Sequence, residues 1–384
     1  IYVGDHQREF DKICLATGSE ALVLPIEGAG LVGVYLYRYP SDCENILERA
    51  EPGKRAVVIG GGLLGLEAAK ALAATGCKVT VVHLMDRLME RQLDAEAADL
   101  LLAAMKDLDG EVMTERMTGE FLGEEHVEGV RFSTDEVIDC DFVVMSVGIT
   151  ARTDLAREAG IAAERGIVVD DHMRTSADDI FAVGECAQHE GIVYGIVAPI
   201  YEQCDVAARA ILGREGEPYK GSIPSAKLKV MGIDLVSIGD ISRGETVTVS
   251  DLEAGVYRKL AVRDGKLTGA VLMGDARGYE LLLDAAKTGA EILNPLDTLM
   301  QASQATAAEL PDTAQVCNCN GVCKREIVGA IREKGLTSTQ EVVAVTRAGA
   351  GCGSCVPIVS ELVQLETGGV DEPKYLCPCR KLTS

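Results

Sequence analysis

The sequence predicts a multidomain α/β protein, with doubly wound dinucleotide-binding domains, a small α+β domain and a short helical domain carrying cysteines. Three observations predict this. Val57-Val58-Ile59-Gly60-Gly61-Gly62-Leu63-Leu64-Gly65 sets a G-x-G-x-x-G turn between an apolar strand run and a helix, the local pattern of a βαβ nucleotide-binding unit. Past Gly213 the pattern changes to alternating strand segments such as 227–230 and 257–262, followed by one helix from about Tyr279. Seven of the thirteen cysteines then crowd between Cys317 and Cys379. At 384 residues the chain has room for roughly two to three domains.

Composition narrows the function classes. A formal net charge of -23 opposes binding to nucleic acid or to an anionic membrane surface, since both repel an acidic protein. No apolar run reaches the ~18 residues needed to cross a bilayer, and no signal pattern opens the chain. The expectation is a soluble, cytoplasmic protein. An oligomer is allowed by this composition and not specified by it. The chain has 41 Gly, no Trp and five Phe, a composition suited to tight βα turns and close helix-on-sheet packing. Ile1 stands just before a strand, and Thr383-Ser384 reads as a helix cap without its helix, so the chain reads as a segment of a longer protein.

The elements follow in order. Residues 55–82 make one βαβ unit, with strands at 57–59 and 79–82 around a helix ending at Gly76. Short strands fill 111–149, closing with the buried-type run 142–147; two more are expected at 167–170 and 180–183, then a helix over 198–212. A Thr/Ala-rich linker is expected around 302–314. Beyond it, Asn320 is expected to cap a helix running to about Lys334, where Gly335 stops it. Thr337 to Gln340 and Ser338 to Glu341 form overlapping capping boxes for a second helix, and Pro357 marks the start of a third.

Within the first motif each glycine has a physical task. Gly60 permits the tight turn, Gly62 lets the backbone approach a pyrophosphate, and Gly65 allows close helix–strand packing. The acid expected at the end of the second strand, which would bind the ribose of NAD, is replaced by His83, with Asp86 and Arg87 after it. That departure leaves NADH and NADPH both open, and His83 is also readable as a plain strand-end residue.

Two further segments bracket this unit: Leu15-Ala16-Thr17-Gly18-Ser19, and Ile180-Phe181-Ala182-Val183-Gly184-Glu185-Cys186-Ala187. Together they resemble the flavin-side motifs of the glutathione-reductase-like flavoproteins with two dinucleotide-binding domains. The resemblance implies that Thr17, Gly18, Gly184 and Glu185 bind FAD, with Glu185 on a ribityl hydroxyl, that Glu67 lies near nicotinamide and flavin, and that Gly148 lines the second edge of the nucleotide. It implies too that the strand-glycine-helix unit opening such a flavin domain precedes Ile1. On this reading 1–50 and 153–215 are the remainder of an FAD domain, 51–152 is the NAD(P)H domain and 216–301 the α+β domain.

The six cysteines Cys14, Cys43, Cys77, Cys140, Cys186 and Cys204 are scattered and read as small hydrophobes. Cys317-Asn318-Cys319, then 32 residues, then Cys352-Gly353-Ser354-Cys355 is a different matter. Two thiolate pairs on loops at helix ends can hold zinc or a [2Fe-2S] cluster. Zinc would make the segment a non-catalytic docking scaffold. Cys323, one helical turn away, reads as a packing residue. A C-x-C half joined to a C-x-x-C half by two short helices resembles the bacterioferritin-associated ferredoxin-like domain over 313–366, which implies [2Fe-2S]. Cys377-Pro378-Cys379 in the 367–384 tail repeats the C-x-C half, and Leu382 onward reads as the start of another helix, so a second cluster module opening there is one reading.

The order of parts resembles the family of assimilatory nitrate reductase electron-transfer subunits and NAD(P)H-dependent nitrite reductase large subunits, through Leu88-Met89-Glu90-Arg91-Gln92-Leu93-Asp94 and Leu228-Lys229-Val230-Met231-Gly232-Ile233-Asp234 as well as the motifs above. The resemblance implies electron flow from NAD(P)H, with NADH favoured, through FAD and [2Fe-2S] to a nitrate or nitrite reductase catalytic subunit or domain. A flavin accepts a hydride and releases single electrons, which a cluster needs. The sirohaem half of a nitrite reductase has no counterpart in the chain, and the second C-x-C fits the electron-transfer subunit better.

Overall fold

The computed structural model describes residues 2–105, 110–214, 216–230, 232–251, 253–369, 375–377 and 382–383. It divides into two compact units. The first holds Ile1–Gly195, Gln203–Gly221 and Lys229–Ile233; the second holds Ile196–Glu202, Ser222–Leu228 and Asp234–Ser384.

In the first unit a five-stranded sheet runs in the order Val34–Leu36, Phe142–Met145, Arg55–Ile59, Lys78–Val82, Gly110–Met113, and every pair is parallel. Its two central strands are apolar runs: Ala56 to Ile59 and Phe142 to Met145 are all buried. A strand covered on both faces needs such an unbroken run. The Leu63–Ala74 helix buries Gly65, Leu66, Ala68, Ala69 and Leu72, small enough residues to lie close to the sheet. A three-stranded antiparallel meander, Thr118–Leu122, Gly129–Phe132 and Val137–Asp139, puts Phe121, Val130 and Phe132 into one core with Val57, Ile59 and Val143.

The remaining strands of this unit are short pairs, Ile13–Leu15 with Ile180–Ala182 and Ile167–Val169 with Ala187–His189 in parallel, and Ser19–Ala21 with Ile149–Ala151 and Tyr2–Val3 with His6–Gln7 antiparallel. The parallel pairs share a core of Leu15, Ile167, Met173, Ala182 and Val183. Thus the two segments flanking the nucleotide unit in sequence meet in space, with Cys14 opposite Phe181.

The second unit begins with a sheet in the order Ser225–Val230, Ile233–Gly239, Lys266–Met273, Val256–Arg263, Glu245–Asp251, whose last three pairings are antiparallel. The Tyr279–Thr288 and Pro295–Ala302 helices cover it through Leu282, Leu283 and Leu299, which pack on Val236, Leu260 and Leu272. The cysteine segment follows as three helices, Lys324–Lys334, Thr339–Thr346 and Val356–Thr367. Their core centres on the fully buried Ile327, Val342, Ala348 and Val359.

Three expectations change. The supposed linker contains a short 3-10 turn, Ala307–Glu309, and buries Ala307, Leu310 and Ala314 in the three-helix core; its small residues fill space between helices. The cap of the Lys324–Lys334 helix is Cys323, not Asn320. Asn320 instead turns its amide to the carbonyl of Arg347 at 2.9 Å and to the Cys317 sulfur at 3.8 Å. At the tail, Leu382–Thr383 is a strand paired with Tyr375–Cys377, where a helix start was expected; Cys379 lies outside the described residues. Among the described residues no helix is long and apolar enough to cross a membrane.

Candidate functional site

The nucleotide turn is built by its glycines in three different ways. Gly60 has φ +118°, and a Cβ there would fall 2.1 Å from the Ser146 carbonyl oxygen. Gly65 has no room: a Cβ would lie 1.9 Å from the Gly60 oxygen. Gly62, the residue preceding the Leu63–Ala74 helix, has nothing within 4 Å of its Cβ position. Open space over a helix N-terminus suits an approaching pyrophosphate.

His83 follows the Lys78–Val82 strand and is nearly buried. Its Nδ1 accepts from the Gly61 N–H at 3.0 Å, and its Nε2 lies 3.0 Å from the Glu90 carboxylate. An Nδ1 that accepts leaves the ring proton on Nε2, donated to Glu90. The imidazole therefore braces the turn from below, and Gly61 has to be glycine because a Cβ would meet the His83 ring at 2.8 Å and Leu88 at 2.5 Å. Arg87 is engaged too, with Asp86 at 2.9 Å and the Leu93 carbonyl at 3.3 Å. Glu67, on the first turns of the helix, is exposed, and partial desolvation of its carboxyl raises its pKa. Gly148 has φ +121° and an open Cβ position.

On the flavin side, Thr17 donates its hydroxyl to the Arg152 carbonyl at 2.7 Å, and Gly18, at φ +68°, has open space around it. Gly184 (φ +86°) begins a 3-10 turn that presents Glu185. One oxygen of Glu185 is taken by the Ser19 hydroxyl at 2.6 Å and by Arg38, which also bonds Ser19; the other carries no hydrogen bond among the described residues. Beneath this turn the fully buried Gln203 accepts from the Gly184 N–H at 2.8 Å, while its Nε2 has no partner. A free carboxylate oxygen and an unmet buried donor, together with the open position at Gly18, fit a polyhydroxylated, multiply hydrogen-bonding ligand such as a flavin nucleotide. Arg38 and Gln203 lie outside any motif, and Glu90, though within the 88–94 stretch, has no role legible there; only their contacts reveal them.

The four expected ligands come together in the second unit. Cys317 and Cys319 lie on the short hairpin Gln315–Cys317/Val322–Cys323 and its turn, Cys352 in the loop after Gly349, and Cys355 at the start of the Val356–Thr367 helix. They form two sulfur pairs. Cys319 Sγ lies 3.2 Å from Cys352 Sγ, and the Cys355 thiol donates to the Cys317 sulfur. That bond, helped by N–H groups of Gly349 and Asn320, holds the Cys317 thiol down to about 5 and pushes the Cys355 thiol up. Each pair takes one thiol from each motif. Among the described residues no three His, Cys, Asp or Glu side chains close on a single metal-ion position. Two pairs suit two irons, each held by two thiolates. Cys323 is absent from both pairs.

A family model described as pyridine nucleotide-disulphide oxidoreductase matches residues 3–210. The chain belongs to that family. Two further models match this pyridine nucleotide-disulphide oxidoreductase downstream: the rubredoxin NAD+ reductase C-terminal domain over 224–290 and the BFD-like [2Fe-2S] binding domain over 315–364. The cofactors of this combination are FAD, NAD(P)H and [2Fe-2S]. Nitrite reductase [NAD(P)H] of Bacillus subtilis (strain 168) is 42% identical over 99% of this chain and 49% of its own length. The assimilatory nitrate reductase electron transfer subunit of the same organism is 38% identical over 97% of this chain and 50% of its own. The chain thus spans about half the length of the curated relatives it matches. Among solved structures, a ferredoxin reductase from Rhodopseudomonas palustris (TM-score 0.66, 26% identity, 76% of each chain) and NADH:rubredoxin oxidoreductase from Clostridium acetobutylicum (TM-score 0.60, 26% identity, 76% of this chain and 74% of that one) share the fold.

Proposed function

We propose that this oxidoreductase passes electrons from NAD(P)H through FAD to a [2Fe-2S] cluster held by Cys317, Cys319, Cys352 and Cys355, and from there to an assimilatory nitrate reductase. The observation that carries the reading is the pairing of one thiol from each cysteine motif at the end of a nucleotide- and flavin-binding chain. When bound, the flavin supplies the exchange between hydride and single electrons. The chain's own residues do the positioning. Gly60, Gly62 and Gly65 shape the turn that receives the pyrophosphate, with Gly148 on its other edge and Glu67 toward the nicotinamide. Thr17, Gly18, Gly184 and Glu185 hold the flavin, and Gln203 supplies a donor under it. This assigns 1–50 and 153–215 to flavin binding, 51–152 to NAD(P)H, 216–301 to the α+β domain and 313–366 to the cluster.

The same parts support a second reading in which the acceptor is a nitrite-reducing centre, favoured by the 42% identity to nitrite reductase. Either way the entry half is common. Anaerobically prepared full-length protein is expected to contain flavin, two irons and two sulfides per chain, and NADH is expected to bleach flavin and cluster bands together. A colourless preparation containing zinc would overturn the electron-carrier reading.

A further inference from the structure

Asn318 sits between the two ligands of the C-x-C motif. Its Nδ2 donates to the hydroxyl of Tyr279, the first residue of the Tyr279–Thr288 helix, and Tyr279 in turn donates to Ser225 Oγ at 3.2 Å. Tyr279 is 1% exposed, and its ring is flanked by Lys227, whose ammonium stands 5.4 Å from the centroid and 2.7 Å from the buried Glu280 carboxylate. Gly278 fixes where this helix begins, since a Cβ there would strike the Ala302 carbonyl at 2.4 Å. Burial raises the Tyr279 phenol to about 12, so its proton remains available for Ser225. The Asn318 Oδ1 is buried and has no partner.

A buried amide with one bond made and one unmet is oriented by the bond it has. Here that bond comes from the α+β domain, 39 residues upstream. The neighbouring residue Asn320 bonds the Cys317 sulfur through its amide, and its N–H does the same. N–H groups aimed at a ligating sulfur stabilise the extra negative charge of a reduced cluster and so raise its potential.

We propose that Tyr279 is a positioning residue for the cluster: through Asn318 it fixes the Cys317–Cys319 loop, so that the α+β domain helps to set the cluster's reduction potential. The proposal rests on the [2Fe-2S] reading, so iron and sulfide are counted first in every full-length preparation. Tyr279→Phe keeps the ring and removes the hydroxyl. It is expected to retain iron and sulfide while the ratio of reduced to oxidised cluster at fixed poise falls by up to about tenfold, which is about 59 mV for one electron. Asn318→Ala breaks the same bond from the other end and is expected to shift the potential in the same direction. The double variant is expected to shift it no further than the larger single one. An unchanged potential with iron intact, or shifts that add in the double variant, would overturn the tether. If Tyr279→Phe fails to fold, Asn318→Ala alone decides, with an unchanged potential counting against the proposal. Wild-type protein without iron overturns the cluster reading itself, and the tether with it.

Discussion

Gly62 and Gly65 differ by three positions in the chain and by everything in their surroundings. Gly65→Ala would press a methyl into the Gly60 carbonyl at 1.9 Å, where neither backbone can yield. A loss of about 3 kcal/mol or more in chemical denaturation is expected. Gly62→Ala adds a methyl in open space at an ordinary extended φ of -84°. It is expected to stay within about 1 kcal/mol of wild type, while NADH binding measured by fluorescence titration weakens at least tenfold. Equal effects on folding from both would contradict the division of labour between the two glycines. The glycines were legible because their spacing is local; the cofactor choice was not. In the sequence His83 is open to a cofactor role or a plain strand-end role; in the fold its nitrogens are committed to Gly61 and Glu90. Next to that position stands the Glu90 carboxylate, with Arg91 at 3.8 Å from its other oxygen, and the carboxylate repels a 2'-phosphate. The expectation is at least tenfold tighter binding of NADH than of NADPH, with Glu90→Gln narrowing the gap. A wild-type preference for NADPH would refute it.

At the level of elements, local chemistry sets several helix ends. Ser338 Oγ accepts from the Glu341 N–H, and the Glu341 carboxylate accepts from the N–H groups of Ser338 and Thr337 at 3.1 and 2.9 Å. The Ser338-to-Glu341 box is readable from four consecutive residues; the overlapping Thr337-to-Gln340 box gives way to it, with the Thr337 N–H going to Glu341 as well. Ser338→Ala is expected to cost about 1 kcal/mol of stability and to leave iron content unchanged, because the box lies at the start of a helix that carries no ligand; loss of iron would mean that this helix orients the cysteines. The neighbouring cap was misread for a physical reason. Asn320 is the better capping residue by propensity, yet tertiary bonds to Cys317 and Arg347 take its amide, and the helix starts three residues later at Cys323. The 302–314 stretch reads as a linker because its buried positions, Ala307, Leu310 and Ala314, although spaced i, i+3, i+7, are mostly small residues among polar ones and are interrupted by Pro311. Such a segment shows its role only once the helices it fills are assembled.

Across the whole molecule, the sequence order of motifs was legible because each is short and self-contained, whereas contacts spanning long separations were not. Arg38 and Glu185 are 147 residues apart, and Asn318 and Tyr279 belong to different domains. On the function proposed above, electrons enter from NADH at the flavin and leave through the Cys317/Cys319/Cys352/Cys355 cluster. The most direct test replaces Cys352 and Cys355 by Ser in the full-length protein, with Cys323→Ser as a control that should keep its iron, since Cys323 joins neither sulfur pair and serine serves equally as a helix cap. With flavin content equal to wild type, the double variant is compared with wild type for NADH-driven reduction of a dye that meets the flavin directly and for reduction of the physiological nitrate or nitrite reductase centre. Dye reduction is expected to persist while partner reduction is lost. Partner reduction at the wild-type rate in protein shown to lack the cluster would contradict this route.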